Sequence, residues 1–408
     1  MTNFEKNLLS IIERKKNVFF IIIITILGVI VRTGGRDFVS GDAKCYLLPW
    51  YEMIKESGGL SALKEQVGNY GIPYQFLIAI MTYIPVEALY VYKLFSCIFD
   101  FGLALISAKF VCALANRTSS FLFSTVYGIV LFLPTVVLNS SVWAQCDAIY
   151  VFFVMAALYC LFQKKDQVAF IFIGIAFAFK LQTIFIIPFF IYYYIKEKRF
   201  SILNFGISLF SFYIMQIPGF LCGRSFLEPI RIYVEQGETY KEMTLNFTSF
   251  WVLVGNDYES LHLIAIVLTI SILGIGLFWL MYSSVKMDNA DSFMKLLIWS
   301  VWTCLLFLPA MHERYGYLLD LLLILYVFLN KRGVQYAVIA SICSVDRYAR
   351  FLYGGGVDIK LVSIAYTLAY LDYTYRIVIR NSIISEQERQ IEKSFNRERT
   401  RIKQNKKR

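Results

Sequence analysis

Long apolar runs broken by short polar stretches dominate this chain. The first, "NVFFIIIITILGVIV", gives a span over about residues 18 to 32, and others fall at about 92 to 113, 120 to 138, 148 to 162, 200 to 218, 261 to 282, 292 to 309 and 315 to 330. None shows the apolar/polar alternation of a barrel strand. Most approach the ~20 residues that a helix needs to cross a hydrocarbon layer of ~30 Å. Runs at 167 to 179 and 181 to 195 are each short, and predict a hairpin of tilted or broken helices with Lys180 and Gln182 at its tip. Further spans near 334 to 351 and 358 to 376 bring the expected total to roughly twelve helices in an all-α polytopic membrane protein.

Basic residues orient these spans. Lys15 and Lys16 place the N-terminus in the cytoplasm, and Lys164, Lys165, the "KEKR" at 196 to 199, Lys286 and the "KR" at 331 to 332 mark later cytoplasmic loops. Parity holds only if the run from 71 to 88, with Tyr70, Pro73, Tyr74, Pro85 and Glu87, lies along the outer surface instead of crossing. The expected organisation is then one transmembrane domain over 1–378, with external loops at 33–91 and 219–260, and a basic cytoplasmic tail over 379–408. The first external loop carries two short interfacial helices, around "YLLPWYEMIKE" and "GLSALKEQV".

At 58% hydrophobic and 17% charged residues, the chain falls outside the soluble classes. Its net charge of +11 is concentrated in short loops and the tail, which is how a membrane protein fixes orientation and is no argument for nucleic acid. The eight cysteines lack paired metal spacing and read as small packing residues.

Against this background a few polar residues stand out. Asp37 and Asp42 follow the first span in "GRDFVSGDAKCYLLPWYE", and Asp42 is placed to act as a general base toward a hydroxyl. Trp50 and Tyr51 offer either an aromatic platform for a sugar face or an interfacial belt. Gln145 and Asp147 open a span in "NSSVWAQCDAIYVFF", where a carboxylate is equally suited to a helix start and to sugar or acceptor binding. Lys180 interrupts an apolar stretch, where an unpaired charge is expensive, and suggests a phosphate contact, with Gln182 beside it. Asp100 suits a structural pairing with Lys93 or a neighbouring helix. "FLPAMHERYGY" sets His312, Glu313 and Arg314 at a membrane face; arginine suits bidentate phosphate binding, while solvation at an interface explains the triplet equally well. The topology sends Asp37, Asp42, Asp147 and the triplet to the same non-cytoplasmic side. "NFT" at 246 to 248 and "NRT" at 116 to 118 formally match glycosylation acceptors.

With these motifs in order, the chain resembles the GT-C superfamily of integral-membrane glycosyltransferases, nearest to bacterial mannosyltransferase-like proteins. More distantly it is similar to the endoplasmic-reticulum glucosyltransferases that extend lipid-linked oligosaccharides. "SGDAKCYLLPW" matches the family's glycine-aspartate segment after the first helix at Asp42. His312, Glu313 and Arg314 match its His-Glu-Lys element, with arginine in place of lysine; "VWAQCDAIY", "AFAFKLQ" and "VYKLFSCIFD" extend the likeness over residues 30 to 330. The resemblance implies a GT-C fold in a bacterial cytoplasmic membrane with an extracytoplasmic site. It implies an inverting transfer from a polyprenyl-phosphate sugar to a lipid-linked glycan or polysaccharide acceptor. Asp42 would activate the acceptor. Lys180, His312 and Arg314 would hold the donor phosphate, and Asp37, Trp50, Tyr51, Gln145, Asp147, Gln182 and Glu313 would line the sugar and acceptor sites. No cofactor or metal ligand set is expected, although the acidic residues leave room for a divalent cation. A flippase for lipid-linked saccharide and a polysaccharide polymerase are the competing readings.

Overall fold

A computed structural model describes residues 1–380, so the expected basic tail lies outside the described residues apart from its first two positions. Helix α1 (Asn3–Thr33) opens with a capping box in which Thr2 and Glu5 bond each other's backbone. A π-turn (Ala43–Leu47) leads into α2 (Leu48–Glu56), followed by a 3-10 turn (Gly59–Lys64), α3 (Ile72–Met81), α4 (Ala88–Leu114) and α5 (Ser120–Leu131). Pro134, which has no N–H to continue the preceding ladder, starts α6 (Pro134–Val137). With the π-turn Leu138–Val142 that follows, α6 is bent 53° from α5.

The second half begins with α7 (Asp147–Phe162) and α8 (Asp166–Phe179), then a 3-10 turn (Leu181–Ile186), α9 (Ile187–Glu197), α10 (Leu203–Ile214), α11 (Ile217–Leu221) and α12 (Glu228–Thr239). Strand β1 (Thr244–Leu245) and α13 (Trp251–Val254) precede the long α14 (Tyr258–Tyr282) and α15 (Ala290–Phe307). Strand β2 (Met311–His312), α16 (Tyr317–Val327), α17 (Val334–Tyr353) and α18 (Ile359–Tyr373), with a final π-turn (Thr374–Arg380), complete the described chain.

Four described helices, α1, α4, α14 and α15, are long and apolar enough to cross a membrane, and five elements are if α5 and its bent continuation count as one. The 31 residues of α1 extend about 46 Å at 1.5 Å each. Of the other expected spans, α7, α8, α10 and α16 are apolar but below that length, and α17, at 20 residues, is long enough but is not among the candidate spans. Helix α3 has ten residues, about 15 Å, too short to cross, and seven of them are buried in the protein. Helices α1 and α14 present Ile26, Ile30, Leu263, Val267 and Ile270 outward, a contiguous apolar exposure that suits lipid and not water. Helix α15, by contrast, is buried along nearly its whole length at the centre of the bundle.

Small residues set the closest helix approach. A Cβ built on Gly174 of α8 would lie 1.9 Å from Ser211 Oγ and 2.2 Å from the Ser208 carbonyl of α10. Those serines donate back to the carbonyls of Phe170 (2.7 Å) and Ile171 (3.1 Å), so the two helices are fastened without a large side chain between them.

Two buried cations of the first half are tied down by named partners. Asp100 pairs with Arg32 at 2.8 Å and accepts from Ser140 at 2.5 Å, while Arg32 also donates to the Gly28 and Leu131 carbonyls. The expected alternative partner, Lys93, is used differently. Its ammonium donates to the carbonyls of Gly35 (2.7 Å), Arg36 (2.9 Å) and Phe38 (2.7 Å), and so pins the loop that leads to Asp42.

Candidate functional site

Asp42 begins the first π-turn, held there because Ser40 caps the Ala43 amide (3.1 Å) and donates to the Trp143 carbonyl (3.0 Å). The facing segment carries Ala144 at φ 65°, a left-handed conformation costly for a residue with a Cβ. That turn lets both its neighbours reach one oxygen: Trp143 Nε1 and Gln145 Nε2 donate to Asp42 Oδ2 at 3.0 and 2.7 Å. Arg314 Nη1 donates to the same oxygen at 3.3 Å. All three donors meet Oδ2, and the carboxylate is thereby fixed in orientation while it lines a cavity.

Arg314 is the hub. Besides Asp42, its guanidinium lies 3.8 Å from Asp147 and 3.8 Å from Glu313, and it stands over the Trp143 ring at 5.9 Å. Three carboxylates, those of Asp42, Asp147 and Glu313, are gathered around this guanidinium. Among the described residues there is no group of three or more His, Cys, Asp and Glu arranged to hold a metal. Among the described residues, Arg314 Nε has no hydrogen-bond acceptor and Glu313 Oε1 no donor, so both retain bonding capacity inside a buried site.

The loop after α15 is positioned by the segment from 219 to 260, a role for which its sequence has no diagnostic pattern. Strand β1 pairs in parallel with β2, Thr244 beside Met311 and Leu245 beside His312. Trp251 Nε1 donates to the Phe307 carbonyl (2.7 Å), Phe250 N to that of Leu306 (3.0 Å) and Ala310 N to that of Met243 (3.0 Å). Ala310, at φ 57°, makes the turn. These bonds bring Tyr240 edge-on to His312, with ring centres 4.5 Å apart.

Two adjoining cavities result. The smaller, about 190 Å³, includes Asp42, Trp50, Gln145, Glu313 and Phe351 in its lining. The larger, about 370 Å³, includes Lys180, Gln182 and a wall of apolar residues such as Ile184, Phe185, Ile266 and Leu308. Asn69, Tyr70, Tyr240, His312 and Arg314 line both, forming the partition.

Several expected roles change in this geometry. Lys180 is ion-paired to Asp147 within a short contact and lies 5.8 Å from the Tyr70 and Tyr150 ring centres, so it neutralises a buried acid before it meets any ligand. Asp147 is 1% exposed; Lys180 takes Oδ1 and Asn139 donates to Oδ2 at 2.8 Å. It acts as an internal anchor for two cations and lines neither cavity, contrary to its expected contact with sugar or acceptor. Tyr51 is buried against Tyr92 and is a packing residue, not a sugar platform. Asp37 lies away from the cluster on the surface, bonded to Tyr90 (2.9 Å) and Arg36 (3.2 Å), and these bonds lower its pKa. Asn246 has its side chain engaged with Arg347, bonding both its carbonyl and its guanidinium, which leaves the "NFT" sequon committed to packing. Trp50, Gln145, Gln182, Glu313 and Arg314 remain at cavity walls.

Electrostatics distinguish the members of the triplet. Burial, with Arg314 and Lys180 nearby, lowers the His312 pKa to about 3, so its imidazole is neutral and offers a single N–H donor in place of a positive charge. Burial raises Glu313 to about 7 against the pull of Arg314. A carboxyl that titrates near neutrality at a cavity wall is a candidate for proton handling.

Asn139, Trp143 and Phe351 carry no site expectation in the sequence, Tyr70 reads there as an interfacial residue, and Tyr240 is one of several polar residues of its loop without a diagnostic arrangement. Tyr70 donates to Gln145 at 3.1 Å, and Phe351 stacks on Trp143 at 4.5 Å, so the C-terminal helices also contribute to the site. Trp143 and Asn139 flank Gln145 in "NSSVWAQCD", and that dense polar patch within an apolar region was their available signal.

Fold and site together define a helical protein with membrane-length helices and a buried ionic cluster beside two adjoining cavities, the larger with one apolar wall. Compared with known proteins, the chain matches no family model and no curated protein.

Proposed function

We propose that this protein is a GT-C-type glycosyltransferase that moves a monosaccharide from a polyprenyl-phosphate donor to a lipid-linked glycan or polysaccharide acceptor. The observation that carries the reading is the pair of adjoining cavities with Arg314 in the partition. The larger cavity, with its apolar wall, suits the first isoprene units of a lipid carrier. Its phosphate, which must stay polar, would meet Arg314 at the boundary, and the sugar would enter the smaller cavity beside Asp42. The resemblance to the family, with Asp42 and the His312 to Arg314 triplet at matching positions, points the same way.

In this reading the acceptor hydroxyl attacks the anomeric carbon from the face opposite the phosphate. Asp42 takes the hydroxyl proton, the new glycosidic bond forms as the carbon–oxygen bond to phosphate breaks, and the phosphate leaves on its lipid with inverted configuration at the sugar. Arg314, whose guanidinium stands in the partition between the cavities, stabilises the charge gathering on the leaving group, while its Nη1 keeps Asp42 aligned. Neutral His312 donates one hydrogen bond. Lys180 contributes positive potential but stays tied to Asp147.

Arg314→Lys tests the donor site, because it keeps the charge and removes the planar fork. Losing one charged hydrogen bond of ~1.5–3 kcal/mol should weaken binding of a polyprenyl-phosphate sugar by ~10- to 100-fold in a calorimetric titration. Unchanged affinity would make Arg314 only an internal anchor and remove the phosphate from this boundary.

A further inference from the structure

A third cavity lies outside the proposed active site. At about 590 Å³, it runs between α1 and α4, with Val29, Leu94, Ile98 and Phe101 along its apolar length. Leu94 and Ile98 are 53% and 56% exposed, so this wall faces the surroundings of the helices and not the bundle interior. One end is polar and carries Arg32, Arg36 and Lys93. The charge balance at that end decides what it suits. Arg32 is neutralised by Asp100, and Arg36 by Asp37. Lys93 gives all three of its N–H donors to backbone carbonyls, and no carboxylate lies within ion-pair distance of it among the described residues, so it offers an occupant positive charge while Arg36 offers the hydrogen bonds.

We infer that this groove holds one anionic phospholipid, with an acyl chain against Val29, Leu94, Ile98 and Phe101 and its phosphate at the Arg36–Lys93 end. The shape fits an occupant that is apolar along its length and negative at one tip, and a basic pocket between membrane helices favours an acidic headgroup. The lipid would also act on the loop below Asp42. Lys93 ties Gly35, Arg36 and Phe38 together, and Ser141, which lines the groove, belongs to the same turn that packs on Gly35. Occupancy therefore stabilises the segment that presents Asp42. This assignment is independent of the proposed transfer reaction.

The test uses the full chain in detergent, offered phosphatidylglycerol or phosphatidylcholine and examined by native mass spectrometry with thermal unfolding in parallel. One uncompensated basic charge near a lipid surface contributes ~1 kcal/mol, so phosphatidylglycerol should bind about fivefold tighter and alone should raise the unfolding midpoint. Leu94→Trp, which fills the groove from its exposed wall, should abolish both effects. Arg36→Ala, on the exposed loop, should reduce the preference without disturbing the fold. Equal binding of the two lipids, or phosphatidylglycerol binding that survives Leu94→Trp, would overturn the assignment. So would displacement of phosphatidylglycerol from the groove by polyprenyl phosphate at equimolar concentration, since the groove would then belong to the lipid carrier.

Discussion

Replacing Glu313 with glutamine should change stability in a pH-dependent way whose sign is fixed by the burial of this carboxyl. Its pKa is raised from 4.5 to about 7, with burial the largest cause. At 1.36 kcal/mol for each tenfold in proton affinity, the folded state favours the neutral form by ~3 kcal/mol relative to the unfolded chain. Between about pH 4.5 and 7 the folded protein holds a proton that the unfolded chain has released, so this residue's contribution falls as pH rises through that window. Glutamine has the same shape and no charge to bury. The variant and the parent should therefore differ little at pH 4.5, and the variant should gain ~3 kcal/mol on the parent by pH 8. Unfolding of the full chain in mixed micelles, titrated with dodecyl sulfate at a series of pH values, measures the difference, and groups unaffected by the substitution cancel. A stability difference that stays constant from pH 4.5 to 8 would refute the reasoning and mean that Glu313 meets water or a cation in the folded state.

The Lys180–Asp147 pair predicts strong coupling. Lys180→Met or Asp147→Asn alone should cost ~3–5 kcal/mol by stranding a buried charge, whereas the double variant should recover at least half of that; simple additivity in the double-mutant cycle would show the two groups to be independent. Gly71→Ala tests the seating of Tyr70, because a Cβ there would lie 2.8 Å from the Ala178 carbonyl. A loss of ~1–3 kcal/mol, read in the same micelle titration, is expected, and an unchanged midpoint would show that the loop is free to move.

Much of this was legible in the sequence, for identifiable reasons. Apolar runs specify helices, so α1, α4, α14 and α15 fall where the runs do. The break at Lys180 was visible because a lone lysine interrupts an apolar stretch, and the unsuitability of residues 71 to 88 as a span was visible in the prolines and tyrosines. Which charges pair was hidden. Lys93 and Arg32 both lay within reach of Asp100 in principle, and the bend at Pro134, which brings Ser140 and the Leu131 carbonyl together, favours Arg32. Asp147 looked like a ligand group because a helix start and a binding residue share the same pattern; only the arrival of Lys180, Asn139 and Arg314 from distant segments separates the two. The β1–β2 pairing is two residues long and leaves no periodic trace, so the role of Tyr240 could not be read before the chain was folded.

Under the proposed function, sugar leaves a polyprenyl phosphate at a site organised by Asp42 and Arg314. The most direct measurement offers the purified protein a panel of polyprenyl-phosphate sugars with extracted lipid-linked acceptors and weighs the products by mass spectrometry. The account predicts that one donor yields an acceptor heavier by a single sugar, and that Asp42→Asn abolishes this product while donor binding persists. No product from any donor, together with donor translocation across a vesicle membrane, would contradict it and identify a carrier of lipid-linked saccharide.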